Sequence, residues 1–415
     1  MQGIATTLEL CGGALSLLFS TRYIDATLND DGTISTVLTN ATHRTAGDMA
    51  KKNNATQTAV GAHYSYGKVS GKGVEWNVGV SYLYTAFSRP LAPVTPGKDG
   101  TISPSKLYRL YFPNGRNLWN GSIDYRLKAG PLTLMGETAV SENGAVATLA
   151  NLMLPVVRKV TVTLAGRIYP YRYHASYGSA LGDSRNVTNE KGILLGTRWA
   201  INKTLSLDAY TDVVRFPWLR YRVSAPSNAL DNSLALTYAN RQWKISARYR
   251  YRRQQRDEKV TTEDKKTTTV LAEKSSHRLR VTAQYAHNRL SWRGNFEGIL
   301  TAEDTKGYIL SQAVTYALSR RYSVYGTVSY FDTDDYDTRI YSYERGMLYN
   351  MNSASYYGNG FRCALYLRGD VTSWLLAQLK VGRTKYFDRS VIGTADRRIF
   401  SSSQTDIDLQ VRVKF

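Results

Sequence analysis

Basic side chains stand at alternate positions along several stretches of the sequence. The clearest row is formed by Lys244, Arg248, Arg250 and Arg252. Fixed cations in a row attract phosphate and carboxylate groups, so such a row could guide anions. Acidic residues occupy the same kind of position elsewhere, and their carboxylates could pair with these cations. The sequence therefore leaves two interpretations open: a track for anionic solutes or polyanions, or a salt-bridged network that selects nothing.

Both kinds of charge are predicted to share one face of a large sheet. The predicted basic track comprises Arg167, Lys244, Arg248, Arg250, Arg252, Arg278, Arg280, Arg293, Arg362, Arg368, Lys380 and Arg412. The predicted acidic residues of the same face are Glu75, Asp124, Glu137, Asp208, Asp212, Glu297 and Asp408. A soluble core cannot hold this many ions, because each unpaired buried ion costs several kcal/mol. A water-filled or protein-plugged lumen can hold them, and this favours a membrane barrel.

Strands are the elements that would position these side chains. Residues 406–415 (DIDLQVRVKF) alternate strictly between polar and apolar types, and successive side chains of a strand point to opposite faces. Roughly nineteen such segments are predicted, joined alternately by short turns and by long loops such as 29–56, 253–276 and 332–358. The pattern predicts an antiparallel transmembrane β-barrel of roughly 18–20 strands, with short periplasmic turns and long extracellular loops. We expect residues 1–415 to form this one barrel domain.

The composition agrees with a barrel and excludes a bundle of membrane helices. The mean hydropathy is −0.37, and no stretch approaches the ~20 apolar residues that a membrane helix needs. Tyrosine is abundant, with 31 residues against 10 phenylalanines, as expected for rings at a membrane–water boundary. The net charge of +21 would also suit a soluble nucleic-acid binder. The positions of the charges, rather than their sum, must therefore decide between these classes.

The two ends of the chain carry different signals. The terminal strand resembles that of bacterial outer-membrane barrels, whose assembly machinery reads a closing aromatic residue, so Phe415 is the predicted assembly signal. The opening residues show neither a basic region nor a small-residue cleavage site. We therefore expect that a signal peptide was removed, or that upstream sequence with at least one strand is missing. Cys11 and Cys363 are predicted to be free thiols, because the expected topology separates them.

Signatures of enzymes and metal sites are weak. The histidines show no metal-ligand spacing, and neither a phosphate-binding loop nor a nucleophile elbow is present. A weak calcium candidate is the acidic run Asp332, Asp334, Asp335 and Asp337. This run lacks the central glycine and the closing glutamate of a calcium loop, so a solvated extracellular loop is the other interpretation. We expect no enzymatic activity and no cofactor.

Five segments carry a family resemblance. They are TRYIDATLNDDGTIST (21–36), THRTAGDMAKKN (42–53), GETAVSENGAVATL (136–149), FPWLRYRVSAPS (216–227) and FDTDDYDTRIYSYERGMLYNMNSASYYGNGFR (331–362). They resemble the barrel region of large Bacteroidota outer-membrane proteins that carry amino-terminal helix-hairpin-helix (competence-type) repeats. The resemblance implies an outer-membrane location in a Gram-negative bacterium. The chain looks amino-terminally truncated relative to that family, so the DNA contact implied for the repeats falls on no residue here.

The sequence predicts a channel or a transport and uptake component of the outer membrane. Its basic lumen would pass anionic solutes or polyanions such as DNA. The alternative is a structural or adhesion scaffold whose extracellular loops bind protein partners without transport. The expected partners are outer-membrane lipid and the barrel assembly machinery. A soluble basic nucleic-acid binder is a further alternative, and it would be soluble without detergent.

Overall fold

The computed structural model describes residues 2–39, 43–71, 73–97, 99–184, 186–261, 267–350, 353–394 and 398–414. The chain clusters into two compact units. Unit 1 comprises Met1–Thr197, Thr211–Leu230 and Gln254–Glu273, and unit 2 comprises Arg198–Tyr210, Asp231–Arg253 and Lys274–Phe415. Phe415, the predicted assembly signal, lies outside the described residues.

Strands make up most of both units. They are β1 (Gln2–Leu10), β2 (Gly13–Leu28), β3 (Ile34–Leu38), β4 (Ala55–Val69), β5 (Val74–Leu91), β6 (Gly115–Ala129), β7 (Leu132–Ser141), β8 (Val146–Val157), β9 (Val160–Tyr169), β10 (Glu190–Ala200), β11 (Leu205–Phe216), β12 (Ser227–Ala239), β13 (Trp243–Thr261), β14 (Thr267–His287), β15 (Leu290–Thr301), β16 (Lys306–Ala317), β17 (Tyr322–Thr333), β18 (Ile340–Tyr343), β19 (Ser353–Tyr356), β20 (Gly358–Asp370), β21 (Leu375–Tyr386) and β22 (Ser403–Val413). Two short helical turns, α1 (Ala46–Met49) and a 3-10 turn (Pro104–Arg109), interrupt the strands. No helix among the described residues is long and apolar enough to cross a membrane.

Twenty of the strands belong to one sheet, and β18 and β19 form a separate two-stranded sheet. In unit 1, β2 pairs antiparallel with β1 and β4, and β4 to β9 follow in sequence order. In unit 2, β14 to β17 pair in order and continue through β20, β21 and β22. The turn between β1 and β2 consists of Cys11 and Gly12, whose φ angles of 50° and 77° suit a two-residue hairpin turn.

One face of the sheet is apolar and exposed in both units. Val80 and Ile123 are each 54% exposed in unit 1, and Leu409 is 72% exposed in unit 2. Aromatic pairs lie on this same face, such as Tyr82 and Trp119 with ring centroids 6.2 Å apart. So large an apolar surface requires lipid around it, because water would drive aggregation.

The prediction of a loop at 253–276 is wrong. Most of it is strand, because β13 continues to Thr261 and β14 begins at Thr267. The 19 residues of β13 span about 60 Å at about 3.3 Å per residue, whereas the apolar band of an outer-membrane barrel is about 25 Å tall. The far part of this hairpin therefore extends beyond such a band, and the charged run 252–259 in it lacks the alternation that predicts a membrane strand.

Candidate functional site

The predicted charged residues lie on the second face of the sheet, which we call the polar face. The cross-strand register places Arg280 opposite Glu297 and Lys380 opposite Asp408. The other predicted cations and acids follow the same alternation along their strands. The sequence pattern thus predicts that these charged residues share one face of the sheet. Which charges pair with each other depends on the fold.

Arg167 on β9 is the centre of a buried ion network in unit 1. Its Nε donates to Glu190 Oε1 at 2.5 Å, and its terminal nitrogens donate to both carboxylate oxygens of Asp212 at 2.9 Å. The side chains of Arg167 and Glu190 are fully buried. Gly192 leaves room for the guanidinium, because a Cβ there would lie 2.5 Å from Cζ of Arg167. A cation satisfied in this way is not open to a passing anion.

The same network fixes residues 170–189, which join β9 to β10 and which we call inner loop 1. The carboxylate of Glu190 accepts hydrogen bonds from the backbone N–H groups of Asp183 and Ser184, each at 2.9 Å. Tyr173 of this loop packs on a small apolar patch of the polar face. The patch consists of Ala139, Ala147 and Tyr169. Burial raises the pKa of Tyr173 to about 12, with the nearby Glu137 and Glu142 carboxylates adding to the effect.

Inner loop 1 crosses the polar face of unit 1. The guanidinium carbon of Arg22 on β2 lies 5.6 Å from the ring centroid of Tyr177 in the loop. Strands β4 to β8 separate β2 from β9 along the ladder. A loop that leaves β9 and reaches β2 must therefore pass over the polar side chains of the strands between them.

Unit 2 satisfies several arginines with few acids. Asp231 accepts a hydrogen bond from Nε of Arg250 at 2.8 Å. Glu297, which is 1% exposed, accepts hydrogen bonds from Arg278 at 3.0 Å and from Arg280 at 2.6 Å. One carboxylate therefore serves two guanidinium groups, and this part of the polar face keeps an excess of positive charge.

A second segment folds onto the polar face in unit 2. Residues 334–357, which we call inner loop 2, join β17 to β20 and contain β18 and β19. Ile340 is fully buried, and Tyr356 is 3% exposed. Both pack on an apolar patch of the polar face that consists of Ile299, Ile309 and Phe331. This patch explains why large apolar residues occur among the charges of β15 to β17.

Glu344 of inner loop 2 neutralises two residues of the predicted basic track. It accepts hydrogen bonds from Arg362 at 2.7 and 2.8 Å, and its Oε1 lies 2.6 Å from Nζ of Lys380. Arg362 also donates to Asp406 at 2.8 and 3.0 Å. Burial acts to raise the pKa of Glu344, but the hydrogen bonds from Arg362 and Lys380 outweigh it and hold that pKa below its usual value.

The tip of inner loop 2 continues along the strands. The N–H of Leu348 donates to Gln378 Oε1 at 3.1 Å, and its carbonyl accepts from Gln410 Nε2 at 3.2 Å. The Tyr349 hydroxyl lies 3.4 Å from a terminal nitrogen of Arg412. The predicted cation Arg412 is therefore in contact with this loop.

Besides Arg412, whose described partner is the Tyr349 hydroxyl, three cations of the predicted track form no ion pair with a described residue: Lys244, Arg248 and Arg293. All three are exposed on the polar face. Arg368 has a longer contact, 3.4 Å, with Asp370 at the end of its own strand. These exposed cations are the ones that a solute could reach.

The acidic run that was the weak calcium candidate does not form one site. Asp335 accepts from the backbone and hydroxyl of Thr338 at 2.8 and 2.9 Å. Asp334 accepts from the backbone N–H of Lys306, and Asp337 is 81% exposed. Asp335 thus caps a turn, whereas Asp334 bonds to the start of β16. No group of three or more metal-binding side chains is found in the described part of the chain.

Sequence reasoning missed the acids that organise the site. Glu190, Asp231 and Glu344 were not among the predicted lumen residues, although each binds an arginine of the track. Glu190 and Glu344 lie at a strand start or in a loop, where alternation gives no signal. The apolar patch on β15 to β17 was a usable signal, since large apolar residues on a charged face require a covering segment.

Comparisons with known proteins give the fold. No family model matches the chain, and no curated protein matches it. Among solved structures, the siderophore receptor PirA from Acinetobacter baumannii matches 99% of this chain and 70% of its own, with 9% identity and a TM-score of 0.53. The ferripyoverdine receptor of the Pseudomonas aeruginosa outer membrane matches 99% of this chain and 64% of its own, with 11% identity and a TM-score of 0.53.

The chain is an antiparallel transmembrane β-barrel. The exposed apolar face, the charged polar face and the likeness to outer-membrane barrels agree on this fold. The polar face is thus the lumen face, and the two inner loops are lumenal segments. Identities of 9% and 11% carry the fold alone, and the chain spans only 64% of the length of the ferripyoverdine receptor.

Proposed function

We propose that the chain is an outer-membrane component for the passage of small anionic solutes, with one inner loop folded onto the lumen face of each unit. The observation that carries this proposal is the lumen face itself. In unit 2 it presents the exposed cations Lys244, Arg248 and Arg293, and inner loop 2 is held on the same face by the buried ion pairs of Glu344. Fixed charge on the wall of a water-filled passage raises the local concentration of ions of opposite sign.

Small anions are better supported than DNA. The buried pairs remove Arg167 and Arg362 from the predicted track, and inner loop 2 covers Lys380. What remains is a set of separated cations rather than a continuous row. A polyanion would need a continuous row to neutralise successive phosphates.

Conductance in planar lipid bilayers tests the proposal. The purified barrel should give discrete steps whose reversal potential in a KCl gradient indicates anion preference. Replacing Lys244, Arg248 and Arg293 by glutamine should reduce that preference. The matched control replaces Arg383 and Lys385, which lie on the other face near the end of β21, and should leave it unchanged. A silent barrel, or cation preference in the unmodified protein, would overturn the proposal.

The alternative of an adhesion scaffold has less support. Of the three loops expected to bind partners, 253–276 is largely strand. Much of 332–358 packs on the lumen face. In 29–56, Ile34 packs with Ile24 and Phe87. The side chains packed in this way are not free for a partner.

The cellular setting is part of the proposal. The barrel fold supports an outer-membrane location in a Gram-negative bacterium, and the exposed apolar face supports contact with outer-membrane lipid. Membership of the Bacteroidota family with helix-hairpin-helix repeats rests on the five sequence segments quoted above. The genomic sequence upstream of Met1 tests that membership: a continuous reading frame that encodes such repeats is expected, and an unrelated gene would contradict it.

A further inference from the structure

Unit 2 contains a cavity of about 520 Å³ on the lumen face. Its floor is formed by side chains of β14 to β17, including Arg280, Arg293 and Asn295. Its cover is β18 of inner loop 2, through Tyr341 and Tyr343. This volume falls within the range of about 300–1,000 Å³ that is typical of small-molecule sites.

The cavity has an excess of positive charge. Glu297 is the acid in its lining, and Arg278 and Arg280 share that carboxylate. Arg293 adds a third guanidinium and forms no ion pair with a described residue. The side chain of Arg280 is still 43% exposed despite its bond to Glu297. Two guanidinium groups are therefore able to bind an entering anion.

The polar lining is rich in hydrogen-bond donors. The Asn295 carbonyl oxygen already accepts from the Thr282 hydroxyl at 2.9 Å, so its amide N–H groups are left for a ligand. Gln284 lies directly opposite Arg293 in the register, and both line the cavity. A surface of donors and cations fits a ligand rich in acceptors, such as carboxylate, phosphate and hydroxyl oxygens.

The spacing of the arginines indicates the size of the ligand. Arg280 pairs with Glu297, whereas Arg293 pairs with Gln284, four residues further along β14. Four residues of strand span about 13 Å, so the two guanidinium groups that line the cavity can contact separate parts of one small ligand. The rings of Tyr325 and Tyr343 line the cavity with them and offer flat surfaces on which a sugar ring can stack.

We infer that this cavity binds a small acidic solute with a hydroxyl-rich body, of the sugar-acid or sugar-phosphate class. The inference rests on the proposed passage function, because it names the class of solute that passes. Hydrogen bonds from the guanidinium groups hold the acidic group, and the tyrosines and amides hold the body. A neutral sugar lacks the first set of contacts, and a bare anion lacks the second.

Isothermal titration of the detergent-solubilised barrel tests the inference. The probes are glucuronate and glucose 6-phosphate, with glucose and inorganic phosphate as partial ligands. At least one acidic sugar should bind ten-fold or more tightly than either partial ligand. If inorganic phosphate binds as tightly as the acidic sugars, the role of the hydroxyl-rich body is overturned. If glucose binds as tightly as the acidic sugars, the role of the arginines is overturned. Absence of binding by both acidic sugars would overturn the inference as a whole.

Variants locate the site. Arg293→Gln should weaken the acidic sugar at least ten-fold, and Tyr343→Ala should weaken it while leaving inorganic phosphate unchanged. Arg198→Gln is the matched control and should bind normally, because Arg198 lies on the polar face outside the cavity and pairs with Asp208. Heat-dependent migration on gels checks that each variant is folded. If Arg293→Gln fails to fold, Arg293→Lys and Tyr343→Ala carry the test, and normal binding by both would overturn it.

The two proposals fail separately. A barrel that conducts anions in bilayers but binds no acidic sugar would overturn the cavity assignment and leave the passage function standing. A barrel that binds acidic sugars in titration but shows no conductance would overturn the passage function alone.

Discussion

Glu344→Gln should release the tip of inner loop 2 from the lumen face. The substitution keeps the size of the side chain and removes the charge that Arg362 and Lys380 bind. Removing one partner of a buried ion pair costs about 3–5 kcal/mol. Arg362 keeps its bonds to Asp406, and Lys380 lies opposite Asp408, so part of that cost is recovered. We expect a loss of about 2–3 kcal/mol in local stability, which is about 30- to 150-fold in the opening equilibrium.

The release should be confined to the tip. Ile340 and Tyr356 remain buried in the apolar patch, and burial of one large apolar side chain contributes about 1.5–3 kcal/mol. The hairpin of β18 and β19 should therefore stay docked while the segment around Leu348 opens.

Hydrogen exchange measures this directly. The Leu348 amide, which donates to Gln378, should exchange about 30- to 150-fold faster in the variant, by the same opening equilibrium. The Ile340 amide should change little, and single-channel conductance should rise. Asp337→Asn is the control, since that side chain belongs to the same loop and is 81% exposed. Unchanged exchange at Leu348, or the same increase in the control, would refute the reasoning.

Three further predictions concern Glu344, the Arg167 network and the carboxyl-terminal residue. The folded loop lowers the pKa of Glu344. The stabilisation that its carboxylate gives to the loop is therefore complete above the usual pKa of a glutamate. It is lost as the pH falls through the lower pKa of the folded state. Conductance should thus be constant between about pH 5 and 8 and rise below about pH 4. The Glu344→Gln variant is the control, and its conductance should not change with pH. Arg167→Met should leave two buried carboxylates unpaired and destabilise the barrel by about 3–5 kcal/mol, measured by urea unfolding in detergent. The side chain of Arg198 is 72% exposed, so Arg198→Met should lower the free energy of unfolding by less than about 1 kcal/mol. An equal loss of stability in the two variants would contradict this account. Deleting Phe415 should reduce the amount of folded barrel in outer membranes, measured by its heat-dependent migration on gels. A normal amount would show that the residue is not an assembly signal.

Much of the strand pattern could be read from the sequence, because alternation is a local property. The pattern predicts a strand at 132–141, and β7 has those bounds. The closing segment is also a strand, and its apolar residues Ile407 and Leu409 are 69% and 72% exposed. The errors lie where alternation weakens. The sequence predicts a first turn around Gly12 and Gly13, because glycine suits the positive φ of a tight turn, whereas the turn consists of Cys11 and Gly12. The hairpin of β13 and β14 extends into the predicted loop 253–276.

The direction of the long loops could not be read from the sequence. Inner loop 2 leaves β17 with polar and aromatic residues that would suit an extracellular loop equally well. Its position depends on Ile340 packing on an apolar patch and on Glu344 binding Arg362, and these contacts join segments far apart in sequence. The same is true of inner loop 1, where Tyr177 meets Arg22.

The sequence by itself determined the strands, their two faces and the concentration of charge on one of them, because side-chain direction in a strand follows from a period of two residues. Only the tertiary structure decided which of those charges a solute can reach. Arg167 and Arg293 are the same residue type on the same face. One is fully buried between two carboxylates, and the other is exposed beside a cavity. The difference arises because pairing depends on which strands and loops meet in space, and no local pattern encodes that.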